Sequence, residues 1–137
     1  MSELVEHEFN AGKGIVHYWT SRSGSVLVQN VPWLVLLPGL TADHTLFKGQ
    51  IDYFAGKCNV FVWDAPAHGL SRPYPLDFTM DDYACILHAI LQTEGIQRPV
   101  LVGQSLGGYV AQAYMDLFPD CASGFISLDS APLKKKY

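Results

Sequence analysis

The sequence predicts an α/β fold on a mostly parallel sheet, and three observations predict it. Short apolar runs alternate with stretches of helical periodicity along the chain. The runs Trp33 to Leu37 and Asn59 to Trp63 are almost continuously apolar, as strands buried on both faces must be. Apolar stripes at helical spacing lie between such runs, and a strand–helix–strand repeat returns each strand parallel to the last.

The elements follow in order. Leu4 to Phe9 alternates apolar and polar residues and reads as a strand, Ala11 to Gly14 as a turn, and Ile15 to Thr20 as a strongly β-prone strand. Together they make an N-terminal hairpin, followed by a polar turn at Ser21 to Gly24. Leu46 to Ala55 reads as a helix with Phe47, Ile51 and Phe54 on one face and Gly56 beyond its end. Thr79 and Asp82 form a capping box ahead of the stripe Met80, Tyr83, Leu87, Ile90 and Leu91, and Gly95 stops that helix. Pro99 to Val102 is a short strand running into Gly103. Leu106 to Phe118 is a helix with Val110, Tyr114 and Leu117 along one face, and Gly124 to Leu128 is a last strand. Ligands of such sheets bind beyond the carboxyl ends of the strands, so residues 38–47, 64–71, 103–106 and 129–132 are expected on one rim.

Composition narrows the function. A chain of 137 residues is one domain, and 49% apolar against 16% charged residues marks a core-rich globular one. The net charge of −4, with nine Lys and Arg in all, excludes a nucleic-acid footprint. The cationic run Lys134 to Lys136 reads as a solvated tail. Cys58, Cys85 and Cys121 are odd in number and widely spaced, so neither a disulfide framework nor a zinc site is implied, and reduced thiols in a cytoplasmic protein are the simplest account. The acidic opening Met1 to Glu8 does not read as a signal peptide. Val31 to Leu40, interrupted by Pro32, Pro38 and Gly39, is far short of the roughly 18 apolar residues of a membrane span.

The chemistry sits in Gly103-Gln104-Ser105-Leu106-Gly107, a G-x-S-x-G sequence between a strand and a helix. Ser105 must turn sharply there, so small residues are needed around it. Gly103 and Gly107 leave room, and Gly108 is expected to let the helix approach the sheet. The hydroxyl then projects at a helix N-terminus, where free N–H groups favour negative charge.

Two further segments join it. Leu37-Pro38-Gly39-Leu40 is followed by Phe47, and Asp64-Ala65-Pro66-Ala67-His68-Gly69-Leu70-Ser71 closes the second buried strand. In this order and spacing the three segments resemble the α/β-hydrolase superfamily, in its esterase- and lipase-like branch. The first is similar to its H-G-x loop with a downstream aromatic, and the second to its D-x-x-G-x-G-x-S loop. The resemblance covers nearly the whole chain. It implies Ser105 as nucleophile, with the backbone N–H groups of Leu40 and Leu106 as oxyanion donors. Gly103, Gln104, Gly107 and Gly108 would support the turn. Gly39, Asp64, His68, Gly69 and Ser71 would brace the loops, His68 as a bracing or surface residue rather than a catalytic one. Pro38 stands where His is common and Ala67 where the first Gly is usual. The implied substrate is a small-molecule carboxylic ester, with thioesters and amides behind it. No metal or cofactor is implied.

The family's chain order is Ser, then Asp or Glu, then His. All five histidines here, His7, His17, His44, His68 and His88, precede Ser105. His44 and His68 share the expected rim and are the substitute bases to examine; His17 and His88 read as packing or surface residues. Asp129, just after the last strand, is the candidate acid. The family's sheet has eight strands and this chain supplies about six, so it reads as the N-terminal portion of one hydrolase domain, without cap, acid strand or catalytic His segment. Its last strand would be an open apolar edge, a route to self-association or to a complementing chain. Two alternatives stay open: a non-catalytic binding protein on the same scaffold, and a parent enzyme that is a C–C hydrolase or lyase.

Overall fold

The computed structural model describes residues 4–21 and 31–132. The polar turn expected at 22–24 and the cationic run at 134–136 lie outside the described residues. Ser21 is instead the last residue of a strand, where its Oγ accepts the Val60 N–H at 2.8 Å.

Among the described residues, six strands and three α-helices make the fold: β1 (Leu4–Asn10), β2 (Ile15–Ser21), β3 (Trp33–Leu37), α1 (Lys48–Phe54), β4 (Asn59–Trp63), α2 (Met80–Thr93), β5 (Val100–Gln104), α3 (Leu106–Leu117) and β6 (Gly124–Leu128). The sheet order is β1-β2-β4-β3-β5-β6. β1, β2 and β4 pair antiparallel, while β4, β3, β5 and β6 run parallel. The α/β expectation therefore holds, as a mixed sheet with an N-terminal hairpin.

Strand alternation divides the core in two. Val35, Leu37, Phe61, Trp63 and Leu101 meet Tyr83, Leu87, Ile90, Val110 and Tyr114 of α2 and α3. On the other face Leu34, Leu36, Val60 and Val62 meet Phe47 and Ile51. β4 is buried at all five positions because both neighbours and both faces are covered.

Some details differ from expectation. The chain enters α1 through a 3₁₀ turn at His44–Phe47, capped by the Asp43 side chain, which accepts the Thr45 N–H. Leu117 is 40% exposed, so the buried stripe of α3 runs through Val110, Ala111, Ala113 and Tyr114 without it. α3 stops at Leu117, with Phe118 as its cap. The Thr79–Asp82 capping box is present as expected. β6 forms the edge, with Ile126 49% and Leu128 37% exposed.

Burial pushes Tyr83 and Tyr114 up to about 12 from an ordinary value of 10.0. A raised tyrosine favours the neutral form in the folded state. The stability it contributes is complete below about pH 10 and is lost as pH rises through about 12, because the unfolded chain ionises first. Denaturant midpoints should therefore fall between pH 10 and 12, and less steeply in Tyr83→Phe. An equal slope in the variant would contradict this assignment.

Candidate active site

Ser105 occupies the turn between β5 and α3 with φ 51° and ψ −115°, a region that non-glycine residues rarely enter. Such a conformation costs on the order of 1–3 kcal/mol and persists only where its surroundings enforce it. Here they do. The Ser105 N–H donates to the Leu128 carbonyl at 2.8 Å, and the Ser105 carbonyl accepts the Gly108 N–H at 2.9 Å. The hydroxyl makes no capping hydrogen bond to α3, so Ser105 is not an ordinary cap.

The glycines explain why the chain can turn here, though their roles divide differently than expected. A Cβ on Gly107 would run into the Leu37 carbonyl, so Gly107 is the residue that brings α3 onto β3. A Cβ on Gly103 would lie 2.5 Å from the Gly107 carbonyl oxygen and from the Gly108 Cα. A Cβ on Gly108 would meet the Ser130 hydroxyl, so Gly108 accommodates the loop after β6 rather than the sheet.

The loop after β3 presses against this turn. A Cβ on Gly39 would collide with the Gln104 side chain and lie 3.1 Å from the Ser105 Cβ. The loop then closes in a turn, with the Ala42 N–H donating to the Gly39 carbonyl at 3.1 Å and Thr41 at φ 65°. The Leu40 N–H is not used in closing it. Leu106 is the first residue of α3, so its N–H has no carbonyl four residues back to bond. Leu40 and Leu106 line one cavity of about 530 Å³, together with Ala67, His68, Gly69, Tyr83 and others. Segments distant in sequence thus meet on one rim, as the rule for parallel sheets requires.

The loop after β4 is built on Asp64, whose side chain is 1% exposed. Its Oδ1 accepts the His44 N–H at 2.7 Å and faces the His44 Nδ1 at 2.8 Å, while Oδ2 accepts the Leu70 N–H at 2.9 Å. Gly69 has φ 48°, and a Cβ there would strike the Asp64 carboxylate. The Ser71 hydroxyl donates to the Asp64 carbonyl at 2.6 Å and accepts the His17 N–H at 2.8 Å, which ties the loop to β2. His68 is buried, with Nδ1 3.1 Å from the Pro66 carbonyl oxygen, a bracing position. Ala67 has φ 69°, the conformation a glycine would take without strain.

Each histidine has a partner other than Ser105. His44 is held by Asp64 and stacked on Trp19 with ring centroids 3.7 Å apart. His7 bonds Thr20, His17 faces Glu6, His68 faces Pro66, and His88 faces Tyr114 while stacking on Phe118. Asp129 follows β6 beside the turn at φ 51°, exposed, and makes no hydrogen bond or ion pair among the described residues.

Sequence reasoning missed several features of the site. These include the Asp43 cap, the His44–Asp64 pairing, and the cavity wall from Arg72, Leu76, Phe78 and Met80. Thr45, two residues after Asp43, was the local signal for the cap; the pairing, across 20 residues, had none. Among the described residues no group of three or more His, Cys, Asp or Glu is arranged to hold a metal ion, and no helix is long and apolar enough to cross a membrane.

Known proteins share this fold. Residues 32–136 match the family described as alpha/beta hydrolase fold. The 2-succinyl-6-hydroxy-2,4-cyclohexadiene-1-carboxylate synthase of Escherichia coli O157:H7 is 37% identical over 81 residues, covering 59% of this chain and 31% of its own. The N-acyl homoserine lactonase AidH superposes with a TM-score of 0.79 at 24% identity, over 95% of this chain and 46% of that one. A thermophilic esterase from Thermogutta terrifontis does so with a TM-score of 0.75 at 26% identity, over 98% of this chain and 48% of that one. The chain thus spans about half the length of these structures and about a third of the curated relative. With its sheet order, strained serine turn and matching sequence pattern, the chain belongs to the α/β-hydrolase-fold family.

Proposed function

We propose that this chain is the nucleophile-bearing portion of a serine hydrolase acting on small-molecule carboxylic esters. The observation that carries the reading is Ser105 on a strained turn, with its hydroxyl not spent on capping the helix it opens. Ser105 attacks the ester carbonyl, and the negative charge passes to the former carbonyl oxygen. The N–H groups of Leu40 and Leu106 receive that oxygen. Losing one such donor typically costs about 10²–10³ in rate. The alkoxide leaves with a proton, and water releases the acyl group from Ser105.

Serine needs a base within hydrogen-bond reach and a group that orients the base. The five histidines bond or face groups other than Ser105. In this reading a further histidine supplies the base, and the open edge of β6 is where a strand carrying it would pair. Asp129 is well placed to orient that base only if the arriving histidine reaches the loop after β6.

A second reading has one observation in its favour. Among the described residues no histidine hydrogen-bonds Ser105, which suits a non-catalytic binding protein on the same scaffold. The curated synthase relative also keeps a C–C hydrolase or lyase parent in view.

The test is turnover of an activated ester such as p-nitrophenyl butyrate. The 137-residue chain should show almost none. The longest natural reading frame containing it should turn the ester over, and Ser105→Ala should lower that rate by about 10³-fold or more. Brisk turnover by the chain alone, or turnover indifferent to Ser105→Ala, would contradict the proposal.

A further inference from the structure

Resting on the ester-hydrolase reading, we infer that the cavity beside Leu40 and Leu106 takes an ester bearing a carboxylate remote from the scissile bond, and that Arg72 holds this carboxylate. The cavity walls are largely apolar: Leu40, Leu76, Phe78, Met80 and Leu106. Its ionisable lining consists of Asp43, His68, Arg72 and Tyr83.

Three of those four are committed. The Asp43 Oδ1 accepts the Thr45 N–H at 2.8 Å and the Thr45 hydroxyl at 2.5 Å. These bonds hold its carboxyl below the ordinary value, so it stays turned to its helix cap. His68 is buried and donates from Nδ1 to the Pro66 carbonyl, 3.1 Å away. The Tyr83 hydroxyl points at the same carbonyl, at 3.4 Å, and burial keeps it neutral.

Arg72 is different. Its Nε donates to the Gly69 carbonyl at 3.1 Å, and the side chain lines the cavity. Among the described residues it makes no ion pair. Its side chain also lines the adjoining cleft of Pro73, Tyr74 and Leu76. With Nε occupied, the edge formed by the two terminal nitrogens remains, and that edge accepts a carboxylate through two parallel bonds. The cavity thus combines apolar walls, the two residues proposed as oxyanion donors, and a guanidinium that no carboxylate of the described residues pairs with. An ester with a neutral apolar body and a distal carboxylate matches all three.

Arg72 is exposed, so water weakens the pairing and the expected preference is roughly five-fold. Monomethyl adipate and dimethyl adipate share a backbone and differ in one negative charge. Each is titrated into the isotopically labelled 137-residue chain, with the amides of residues 40, 72 and 106 followed by NMR. The monoester should bind roughly five-fold more tightly, the difference should shrink in high salt, Arg72→Gln should abolish it, and Arg72→Lys should keep part of it. Equal affinities, a preference that survives Arg72→Gln, or failure of both compounds to shift these amides would overturn the inference. Anion preference absent while Ser105 of the longest natural reading frame reacts with a serine-directed probe removes the carboxylate and leaves the hydrolase reading. Anion preference present while Ser105 of that longer protein stays inert removes the hydrolase reading and leaves Arg72 as a carboxylate site.

Discussion

Replacing Gly107 with alanine is expected to destabilise the protein by about 3 kcal/mol and to disable Ser105. The added methyl would meet the Leu37 carbonyl oxygen, and it would lie 2.6 Å from the Leu37 carbonyl carbon. Neither party can yield easily. Leu37 ends a central strand paired on both sides, and Gly107 lies in the first turn of α3. Relief comes only from lifting α3 off the sheet, which carries Ser105 away from Gly39. Gly49→Ala is the control, because nothing lies within 4 Å of a Cβ there. On the exposed face of α1 it should stabilise by about 0.5 kcal/mol. Urea midpoints of both variants measure the contrast. Similar behaviour of the two would mean that close contact at Gly107 does not hold the turn.

Asp64→Ala is the second large effect, with an expected loss of about 3–5 kcal/mol. The substitution removes the acceptor of the His44 and Leu70 N–H groups and the partner of the His44 ring. Each buried donor left unpaired costs about 1–3 kcal/mol. Against a total stability of about 5–15 kcal/mol for a domain, this is a substantial fraction. The loops after β3 and β4 should loosen together, since Asp64 is their shared anchor. Hydrogen exchange at the amides of residues 44 and 70 reads this directly. Unchanged protection at both amides would show that the carboxylate is dispensable.

These two positions also show what sequence reasoning reaches. The apolar runs located β3 and β4, because a strand covered on both faces has no polar side to confuse the pattern; β5 runs two residues further than expected, and β6 matches its run although it is an exposed edge. The Thr79–Asp82 box fixed the start of α2, because capping is chemistry between residues three apart. The G-x-S-x-G turn was legible for the same reason. Long-range pairing was not. The contact of Gly107 with Leu37 and of His44 with Asp64 depends on strands lying side by side, which no local spacing encodes. The exchange of roles between Gly107 and Gly108 follows from this, since only the position of the loop at Ser130 reveals what Gly108 admits. The exposure of Leu117 was equally hidden, because it depends on what covers the last turn of α3. The wall from Arg72 to Phe78 escaped notice because it has neither helix nor strand periodicity and gains meaning only from the cavity it faces.

The most direct measurement is covalent capture with a fluorophosphonate probe in the longest natural reading frame that includes these residues, read by intact mass and peptide mapping. One adduct on the peptide containing Ser105, lost in Ser105→Ala, is the outcome expected of an activated serine on this turn. A folded protein that takes up no probe, or takes it up on another residue, would contradict the assignment of Ser105 as nucleophile.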